Sequence, residues 1–408
     1  MTLEPEHHTL PLASSVETGE SSAIPRVDIK SLGRKGLESW LEAAGEPAYR
    51  AAQILQWVYS EKGYAAAKSG DAAAFFTSLS NLSKALREKL AASFKLSHLE
   101  PTNLTGSEEL EPTQTVKFLF KLHDGYEIET VLIPNQNGEH ERLTVCVSSQ
   151  VGCALGCKFC ATGYMGFTRN LTTGEILDQV GYAVLWAKEH WQKRVSHVVF
   201  MGMGEPMLNY ERVIEASVML SDFKYLFQIG QRHITISTSG VATGIRRFAD
   251  DPAAKFNLAV SLHSANPEKR ADFMPITNEF SLEALRESIG YYFHKKGRPV
   301  FYEYLLLSGV NDTEADARAL IKFCRISDCK INLIDFNPIP EAHFERSNSE
   351  SKETFRQMLY DAGFTVTVRR SRGKDIGAAC GQLATSSRNG KQIKRNRKSN
   401  QKSNATLF

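Results

Sequence analysis

The chain has 408 residues, a formal net charge of +3 at pH 7, and 42% hydrophobic and 23% charged residues, values typical of a globular protein. Its longest apolar runs have only strand length, which excludes a transmembrane span, and its acidic N-terminus lacks the apolar segment of a signal peptide. The seven cysteines are odd in number and clustered, so they do not suit a disulfide framework and indicate a reducing, cytoplasmic location.

The first 140 residues predict three segments. Residues 1–28 are polar with scattered proline and serine, and predict a disordered N-terminal extension. Residues 29–100 carry apolar residues at spacings of three and four, which predicts a small helical accessory domain with a basic surface. Residues 101–140 contain two strand-like runs around the turn Asp124–Gly125, and therefore predict a β-hairpin extension.

Residues 141–384 alternate strand-like and helical runs, and Thr172 with Glu175 predicts a capping box at the start of the first helix. Six strands with crossover helices predict an α/β fold with a parallel sheet, either doubly wound or a partial or full barrel. Polar residues follow five of the six strands, where a barrel places its chemistry, and favour a partial (β/α)6 barrel. The residues at these strand ends are Cys153, Gly204, Glu205, Ser237, Ser261, Leu262, His263 and Asn337.

Basic residues gather near the C-terminal end. Residues 385–408 predict a disordered basic tail, and the stretch "VRRSRGK" before it contributes Arg369, Arg370, Arg372 and Lys374. Such a concentration of positive charge suggests contact with phosphates. A solvated, disordered tail is compatible with this interpretation, because a flexible basic segment can still follow RNA.

Three cysteines lie within the stretch "CALGCKFC", at Cys153, Cys157 and Cys160. A closed zinc site needs four ligands, and the nearby Cys146 could be recruited only from inside a predicted strand. A [4Fe–4S] cluster fits three thiolates better and leaves one iron open. An amino-carboxylate ligand can occupy that open iron.

The spacing Cys-x3-Cys-x2-Cys resembles the signature of the radical S-adenosylmethionine (SAM) superfamily. "MGMGEP" resembles that superfamily's Gly-Gly-Glu element, in which Glu205 meets the SAM amino group; by itself this stretch would suit a tight strand-to-helix turn. The resemblance implies that the open iron chelates SAM and that one electron from the cluster splits the sulfonium to a 5′-deoxyadenosyl radical.

Several further stretches, among them "CVSSQVGC", "STSG", "NLIDFNP" and "DIGAACGQL", are similar to those of the RlmN-type RNA methyltransferases. The resemblance covers roughly residues 30–385 and implies methylation of C2 of adenosine, with two SAM molecules used per turnover. That carbon lies between two ring nitrogens and is electron-poor, so direct displacement on the methyl group of SAM should fail. Covalent catalysis through a cysteine answers this difficulty.

The resemblance also implies roles for individual residues. Cys380 becomes the methyl carrier, Cys146 the resolving cysteine that forms a transient disulfide with it, and Glu129 the proton acceptor. On the residues alone, Cys380 suits an exposed loop thiol, Cys146 a buried strand cysteine, and Glu129 an outward carboxylate. The implied SAM contacts are Gly204, Glu205, Ser237, Ser261, Leu262, His263 and Asn337, of which His263 equally suits a core histidine.

The implied substrates are 23S rRNA near the peptidyl-transferase centre and the tRNA anticodon loop, with the helical domain docking the RNA and a one-electron donor such as flavodoxin. A monomer with no membrane contact is expected. One alternative is the C8-methylating cousin that confers ribosomal antibiotic resistance, although "MGMGEPMLN" and "VCVSSQVGC" favour C2. A second is a zinc-stabilised, non-catalytic RNA-binding protein.

Overall fold

The computed structural model describes residues 26–105, 114–135, 142–222, 225–369 and 372–385. The disorder predicted for residues 1–28 and 385–408 lies outside these ranges except at their inner ends. There, Val27 and Asp28 pair in parallel with Phe94 and Lys95. Arg370 and the basic residues of the predicted tail also lie outside the described residues.

The N-terminal region is a cluster of short helices between two short strands. Serine and aspartate side chains cap three of the helices: Ser60 accepts from the N–H of Gly63, Asp71 from that of Ala74, and Ser83 from that of Leu86. Its elements are β1 (Val27–Asp28), α1 (Gly33–Ala43), α2 (Arg50–Val58), α3 (Glu61–Ser69), α4 (Ala72–Thr77), α5 (Lys84–Ser93) and β2 (Phe94–Lys95).

A ten-stranded sheet forms the rest of the molecule, together with a separate two-stranded ribbon, β7–β8. Its strands follow one another in the order β14-β13-β12-β11-β10-β9-β6-β5-β4-β3. The strands are β3 (Pro101–Thr105), β4 (Val116–Lys121), β5 (Glu127–Asn135), β6 (Arg142–Cys146), β7 (Gln150–Gly152), β8 (Phe167–Asn170), β9 (His197–Phe200), β10 (Ile234–Thr238), β11 (Asn257–Ser261), β12 (Val300–Leu306), β13 (Cys329–Asp335) and β14 (Thr365–Arg369).

Helices connect the seven parallel strands, which pair with one another in the order β6, β9, β10, β11, β12, β13 and β14. The predicted capping box at Thr172 and Glu175 is present at the start of α7. The helices are α6 (Ala161–Met165), α7 (Thr173–Trp191), α8 (Tyr210–Ser221), α9 (Ala242–Asp250), α10 (Pro267–Phe273), α11 (Leu282–Lys296), α12 (Glu314–Cys324) and α13 (Ser349–Asp361). Among the described residues, no helix combines the length and apolar character needed to cross a membrane.

The sheet differs from the predicted one in two respects. The predicted hairpin is present as β4 and β5, but it continues the main sheet because β5 pairs antiparallel with β6. A seventh parallel strand, β14, follows the six predicted ones. This edge strand is mostly exposed, so it lacks the apolar pattern that identifies a buried strand.

Candidate active site

A cavity opens at the carboxyl ends of the parallel strands, where the sequence places its polar residues. Leu262 is fully buried behind its wall, and Cys146 and Glu129 also lie outside the cavity lining. The predicted residues that line it are Cys153, Cys157, Cys160, Gly204, Glu205, Ser237, Ser261, His263, Asn337 and Cys380.

The ribbon β7–β8 anchors the loop that carries the three cysteines. The N–H of Cys153 donates to the carbonyl of Gly166 at 3.0 Å. Gly152 has a φ of 73°, and a Cβ at that position would lie 1.8 Å from the same carbonyl oxygen. Glycine is therefore required immediately before the first cysteine, because any side chain would break the ribbon.

The thiols of Cys153, Cys157 and Cys160, called the triplet below, resist ionisation. Burial raises the pKa of Cys157 to about 12, and the neighbouring Cys160 adds to this effect. Burial also raises the pKa of Cys153 well above its usual value and that of Cys160 to a smaller extent. Metal ligation requires the thiolate form, so a bound cationic group must stabilise these sulfurs as anions.

Aromatic contacts hold the loop of the triplet against His263 and α10. The ring of Phe159 meets the ring of His263 edge-on, with centroids 4.9 Å apart, and that of Phe273 at 5.9 Å. The N–H of Lys158 donates to the carbonyl of Phe273 at 3.0 Å. The cysteine loop is thereby fixed against α10, which ends at Phe273.

The loop that carries Cys380 lies directly against the triplet loop. Ala161 donates its N–H to the carbonyl of Gly381 at 2.7 Å, and the hydroxyl of Thr162 donates to the carbonyl of Leu383 at 2.6 Å. The side-chain amide of Asn337 donates to the carbonyl of Cys380 at 3.1 Å. A thiol far away in the sequence thus shares the cavity with the three clustered cysteines.

Cys380 and Cys146 are close enough for their thiols to interact electrostatically. Cys380 is open to the cavity, yet the protein around it raises its pKa, an effect that Arg369 opposes. Cys146, the last residue of β6, is buried, and burial raises its pKa to about 12, with a further contribution from Cys380. Both thiols are free.

Glu205 is buried at the end of the second parallel strand and accepts two backbone hydrogen bonds. Its carboxylate oxygens accept the N–H of Met207 at 3.0 Å and that of Ser239 at 2.8 Å. Burial raises the pKa of Glu205, although these N–H groups favour the ionised form. Gly204 precedes it with a φ of 100°, and a Cβ there would lie 2.5 Å from that of Gln150.

His263 and Asn337 present polar atoms to the cavity. His263 has a φ of 56°, unusual for a non-glycine residue, and its Nδ1 accepts the N–H of Leu305 at 3.0 Å. Burial lowers the pKa of His263 to about 3, so the ring is neutral. The Oδ1 of Asn337 is buried without a hydrogen-bond partner, which leaves an acceptor available to a ligand.

Glu129 is buried, which makes the alternative of an outward carboxylate wrong. Its carboxylate pairs with the ammonium of Lys117 at 2.8 Å and accepts the N–H of Ala384 at 2.8 Å. Lys117 also donates to the carbonyl of Gly377 at 3.3 Å. Burial raises the pKa of Glu129, and Lys117 opposes that rise. Lys117 and Glu129 therefore hold the loop that carries Cys380 by hydrogen bonds on both sides of this cysteine, at Gly377 and Ala384.

The sequence places Arg369 in a basic stretch but does not place it in the cavity. There its guanidinium pairs with Glu303 at 3.1 Å, and the amide of Asn332 donates to the same carboxylate at 2.8 Å. Arg369 interacts electrostatically with the thiols of both Cys146 and Cys380. The signal that could have found it is its position at the end of β14, the same position that identifies the other wall residues.

Comparisons with known proteins match both parts of the chain. Residues 147–321 match the Radical SAM superfamily, and residues 27–96 match the Ribosomal RNA large subunit methyltransferase N-terminal domain. The probable dual-specificity RNA methyltransferase RlmN of Salinibacter ruber is 46% identical, over 89% of this chain and 95% of that protein. The protein of the same description from Chloroherpeton thalassium is 43% identical, over 90% and 96%.

A crystal structure of a radical SAM methyltransferase from Sphaerobacter thermophilus superposes with a TM-score of 0.74 at 40% identity, covering 88% of this chain and 99% of that one. The parallel sheet with its cysteine-lined cavity is thus that of a radical SAM protein, which confirms the expected fold class. Within that superfamily the chain belongs to the RlmN family, as its motifs predict.

Membership of this superfamily implies a [4Fe–4S] cluster and SAM, and the cavity offers suitable donors for both. Among the described residues, no three His, Cys, Asp or Glu side chains converge closely enough to hold a single metal ion. A four-iron cluster instead carries its thiolates on separate iron atoms. The unpaired Oδ1 of Asn337 and the buried carboxylate of Glu205 are acceptors suited to an ammonium group.

Proposed function

We propose that this protein methylates C2 of adenosine in RNA, acting on 23S rRNA at the peptidyl-transferase centre and on the tRNA anticodon loop. Its relatives from Salinibacter ruber and Chloroherpeton thalassium are described as probable dual-specificity RNA methyltransferases. The observation that carries the proposal is the position of Cys380 in the same cavity as Cys153, Cys157 and Cys160. A methyl carrier must lie beside the cofactor that charges it, since group transfer needs near-contact geometry.

When bound, the cluster and SAM supply an electron, a methyl group and a hydrogen-abstracting radical. Cys153, Cys157 and Cys160 would hold the cluster as thiolates, the form that metal ligation requires. Glu205 would accept the ammonium of SAM. The other proposed contacts are Gly204, Ser237, Ser261, Leu262, His263 and Asn337.

Cys380 acts as the methyl carrier. Cys380 would accept, as a thiolate, the methyl group that SAM supplies, and would hold it as a thioether. This methyl group would then give up one hydrogen atom to the radical that SAM supplies, and the methylene radical left on the sulfur of Cys380 would add to C2 of the base. The protein thereby attacks an electron-poor carbon through a covalent intermediate instead of by direct displacement.

Release of the product uses two further residues. Glu129 takes the proton from C2, a role for which its raised pKa is favourable. The adduct gives its unpaired electron to the oxidised one-electron carrier. Cys146 then loses its thiol proton and attacks the sulfur of Cys380, so that a disulfide forms, the bond from sulfur to the methylene carbon breaks, and that carbon keeps the electron pair and takes a proton to become the methyl group. That disulfide must receive two electrons before the next turnover. The electrostatic interaction between the two thiols supports this pairing.

We place the enzyme in the reducing cytoplasm as a monomer, with flavodoxin or a similar one-electron donor. The helical domain of residues 29–100 would dock the RNA, residues 101–140 would form the extension, and residues 141–384 the catalytic core. The target base must leave its stack to reach the cavity. The arginine at position 369 then faces the reaction site, while the tail of residues 385–408 remains available to phosphates.

The test is in vitro turnover with SAM and a reductant on rRNA and tRNA, followed by mass analysis of the nuclease-digested RNA. Wild-type protein should give 2-methyladenosine, the Cys380→Ala variant none, and Cys329→Ala, which alters a thiol outside the cavity, wild-type levels. Product at C8 would instead identify the antibiotic-resistance cousin. Anaerobically purified protein that is colourless and holds zinc would support the non-catalytic RNA-binding alternative.

A further inference from the structure

Arg270, in α10, is fully buried and donates hydrogen bonds to several points of the cavity wall. Its Nε donates to the carbonyl of Leu262 at 2.9 Å, and its Nη1 to the hydroxyl of Thr277 at 2.7 Å. Its Nη2 donates to the carbonyl of Ser239 at 2.6 Å and to that of Ser261 at 3.4 Å. The guanidinium therefore joins the ends of β10 and β11.

This guanidinium is charged but has no carboxylate partner among the described residues. Its acceptors are three carbonyls and one hydroxyl, all of them neutral. Burial lowers the pKa of Arg270 to about 10, which still leaves it protonated at neutral pH. A buried charge without a counter-charge is costly, so the site needs a nearby anion to stabilise it.

The triplet of cysteines provides such an anion, because its members must be thiolates when they bind a metal. Arg270 donates to the carbonyls of Ser261 and Leu262, next to His263, and the His263 ring lies 4.9 Å from the ring of Phe159, which stands between Cys157 and Cys160. The backbone explains the proximity of Arg270 to the triplet, because α10 receives the hydrogen bond from Lys158 and the ring contact with Phe159. Arg270 itself does not line the cavity. Its charge would therefore act on the triplet across the residues that line the cavity.

We propose that Arg270 is a positioning residue whose buried positive charge raises the reduction potential of the iron–sulfur cluster held by Cys153, Cys157 and Cys160. This inference rests on the proposed function only in requiring that the cluster bind there. An oxidised [4Fe–4S] cluster with three thiolates already carries net negative charge, and reduction adds another. A fixed cation nearby stabilises the reduced form more than the oxidised form.

Glu205 is buried in the wall of the same cavity, and its carboxylate would act on a cluster there with the opposite sign to Arg270. Ligand ammonium at Glu205 would neutralise that carboxylate, whereas the charge of Arg270 stays constant. Binding of SAM would therefore change the potential of the cluster independently of Arg270. For this reason the measurement is made before SAM is added.

The experiment is an electrochemical titration of the anaerobically reconstituted, full-length protein, monitored by the EPR signal of the reduced cluster. In Arg270→Gln the charge is lost while an amide donor remains, and the ratio of reduced to oxidised cluster at a fixed potential should fall about tenfold, a shift of 59 mV for one electron. Thr277→Val is the matched control, because it removes one hydrogen bond to the guanidinium and leaves the charge. Its potential should equal that of wild type.

An unchanged potential in cluster-loaded Arg270→Gln overturns the proposal, as does an equal shift in Thr277→Val. If Arg270→Gln binds no cluster, the Arg270→Lys variant provides the test. It keeps the positive charge but makes hydrogen bonds of a different geometry. A loaded Lys variant at the wild-type potential supports the proposal, and one that also holds no cluster refutes it. Wild-type protein with a cluster but without RNA methylation would contradict the proposed function and leave the potential measurements valid.

Discussion

The backbone N–H of Ala161 donates a hydrogen bond to the carbonyl oxygen of Gly381 across 2.7 Å. Ala161 follows the third cysteine of the triplet, and Gly381 follows Cys380, so this bond fixes one thiol-bearing loop against the other. Because the bond uses only backbone atoms, a cysteine on either loop can be replaced without removing it. Variants of the cysteines therefore test chemistry rather than loop position.

Replacement of Cys146 should trap the enzyme on its substrate. In Cys146→Ala no thiol remains to attack the sulfur of Cys380, so the methylene bridge between that sulfur and C2 should persist. We expect a covalent protein–RNA adduct on denaturing gels with labelled RNA, and its disappearance after nuclease treatment. Cys329→Ala serves as the control and should form no adduct. Multiple turnovers by Cys146→Ala would show that another group resolves the intermediate.

Removal of Lys117 should shift the pH dependence of methylation. Burial raises the pKa of Glu129, while the Lys117 ammonium opposes the rise; without that ammonium the pKa rises further. A base must be unprotonated, so the acid limb of the rate–pH profile in Lys117→Met should move to higher pH. Single-turnover rates across pH measure this shift. Lys121→Met, on the exposed end of the same strand, should leave the profile unchanged, and an identical profile for both variants would exclude Glu129 as the base.

The carboxylate of Glu205 should be required for SAM affinity. A hydrogen bond to a charged group contributes about 1.5–3 kcal/mol, so Glu205→Gln should weaken SAM binding by about tenfold or more. Calorimetric titration of the cluster-loaded protein under anaerobic conditions gives the Kd. Glu211→Gln, an exposed carboxylate on α8, is the control for charge alone. Equal affinity of wild type and Glu205→Gln would remove Glu205 from the ligand site.

The helical domain depends on a buried ion pair with the core. Lys30 pairs with Asp178 at 2.7 Å, and the same carboxylate accepts the hydroxyl of Tyr64 at 3.1 Å and the N–H of Leu99 at 3.1 Å. Lys30→Met leaves a buried, unpaired carboxylate and should lower the free energy of unfolding by about 3–5 kcal/mol.

Urea unfolding of the cluster-free protein measures this loss. The double variant Lys30→Met/Asp178→Asn should recover part of the lost free energy of unfolding. It removes the unpaired charge of Asp178 and keeps a hydrogen-bond acceptor. Exposed Lys35→Met provides the matched control. A loss in Lys30→Met no larger than in this control would mean that the ion pair does not anchor the domain.

Much of the wall could be predicted because its residues follow a local rule. Ser237, Ser261 and Asn337 lie at or just after the ends of parallel strands, and strand ends are readable from short apolar runs. Arg369 follows the same rule but escaped prediction, since β14 is an exposed edge strand without a buried face. Arg270 escaped for a different reason: a charged residue in a helix gives no sequence signal of burial.

The sequence by itself determined the triplet, its spacing and the six strand-like runs along the chain, because each depends on residues within a few positions of one another. Only the tertiary structure decided that Cys380 meets the triplet, that Glu129 faces Lys117 and Ala384 instead of solvent, and that Arg270 is buried outside the cavity lining. Contacts between distant residues depend on the curvature of the sheet and on the path of its loops. The spacing of apolar and polar side chains along the chain predicts neither of these.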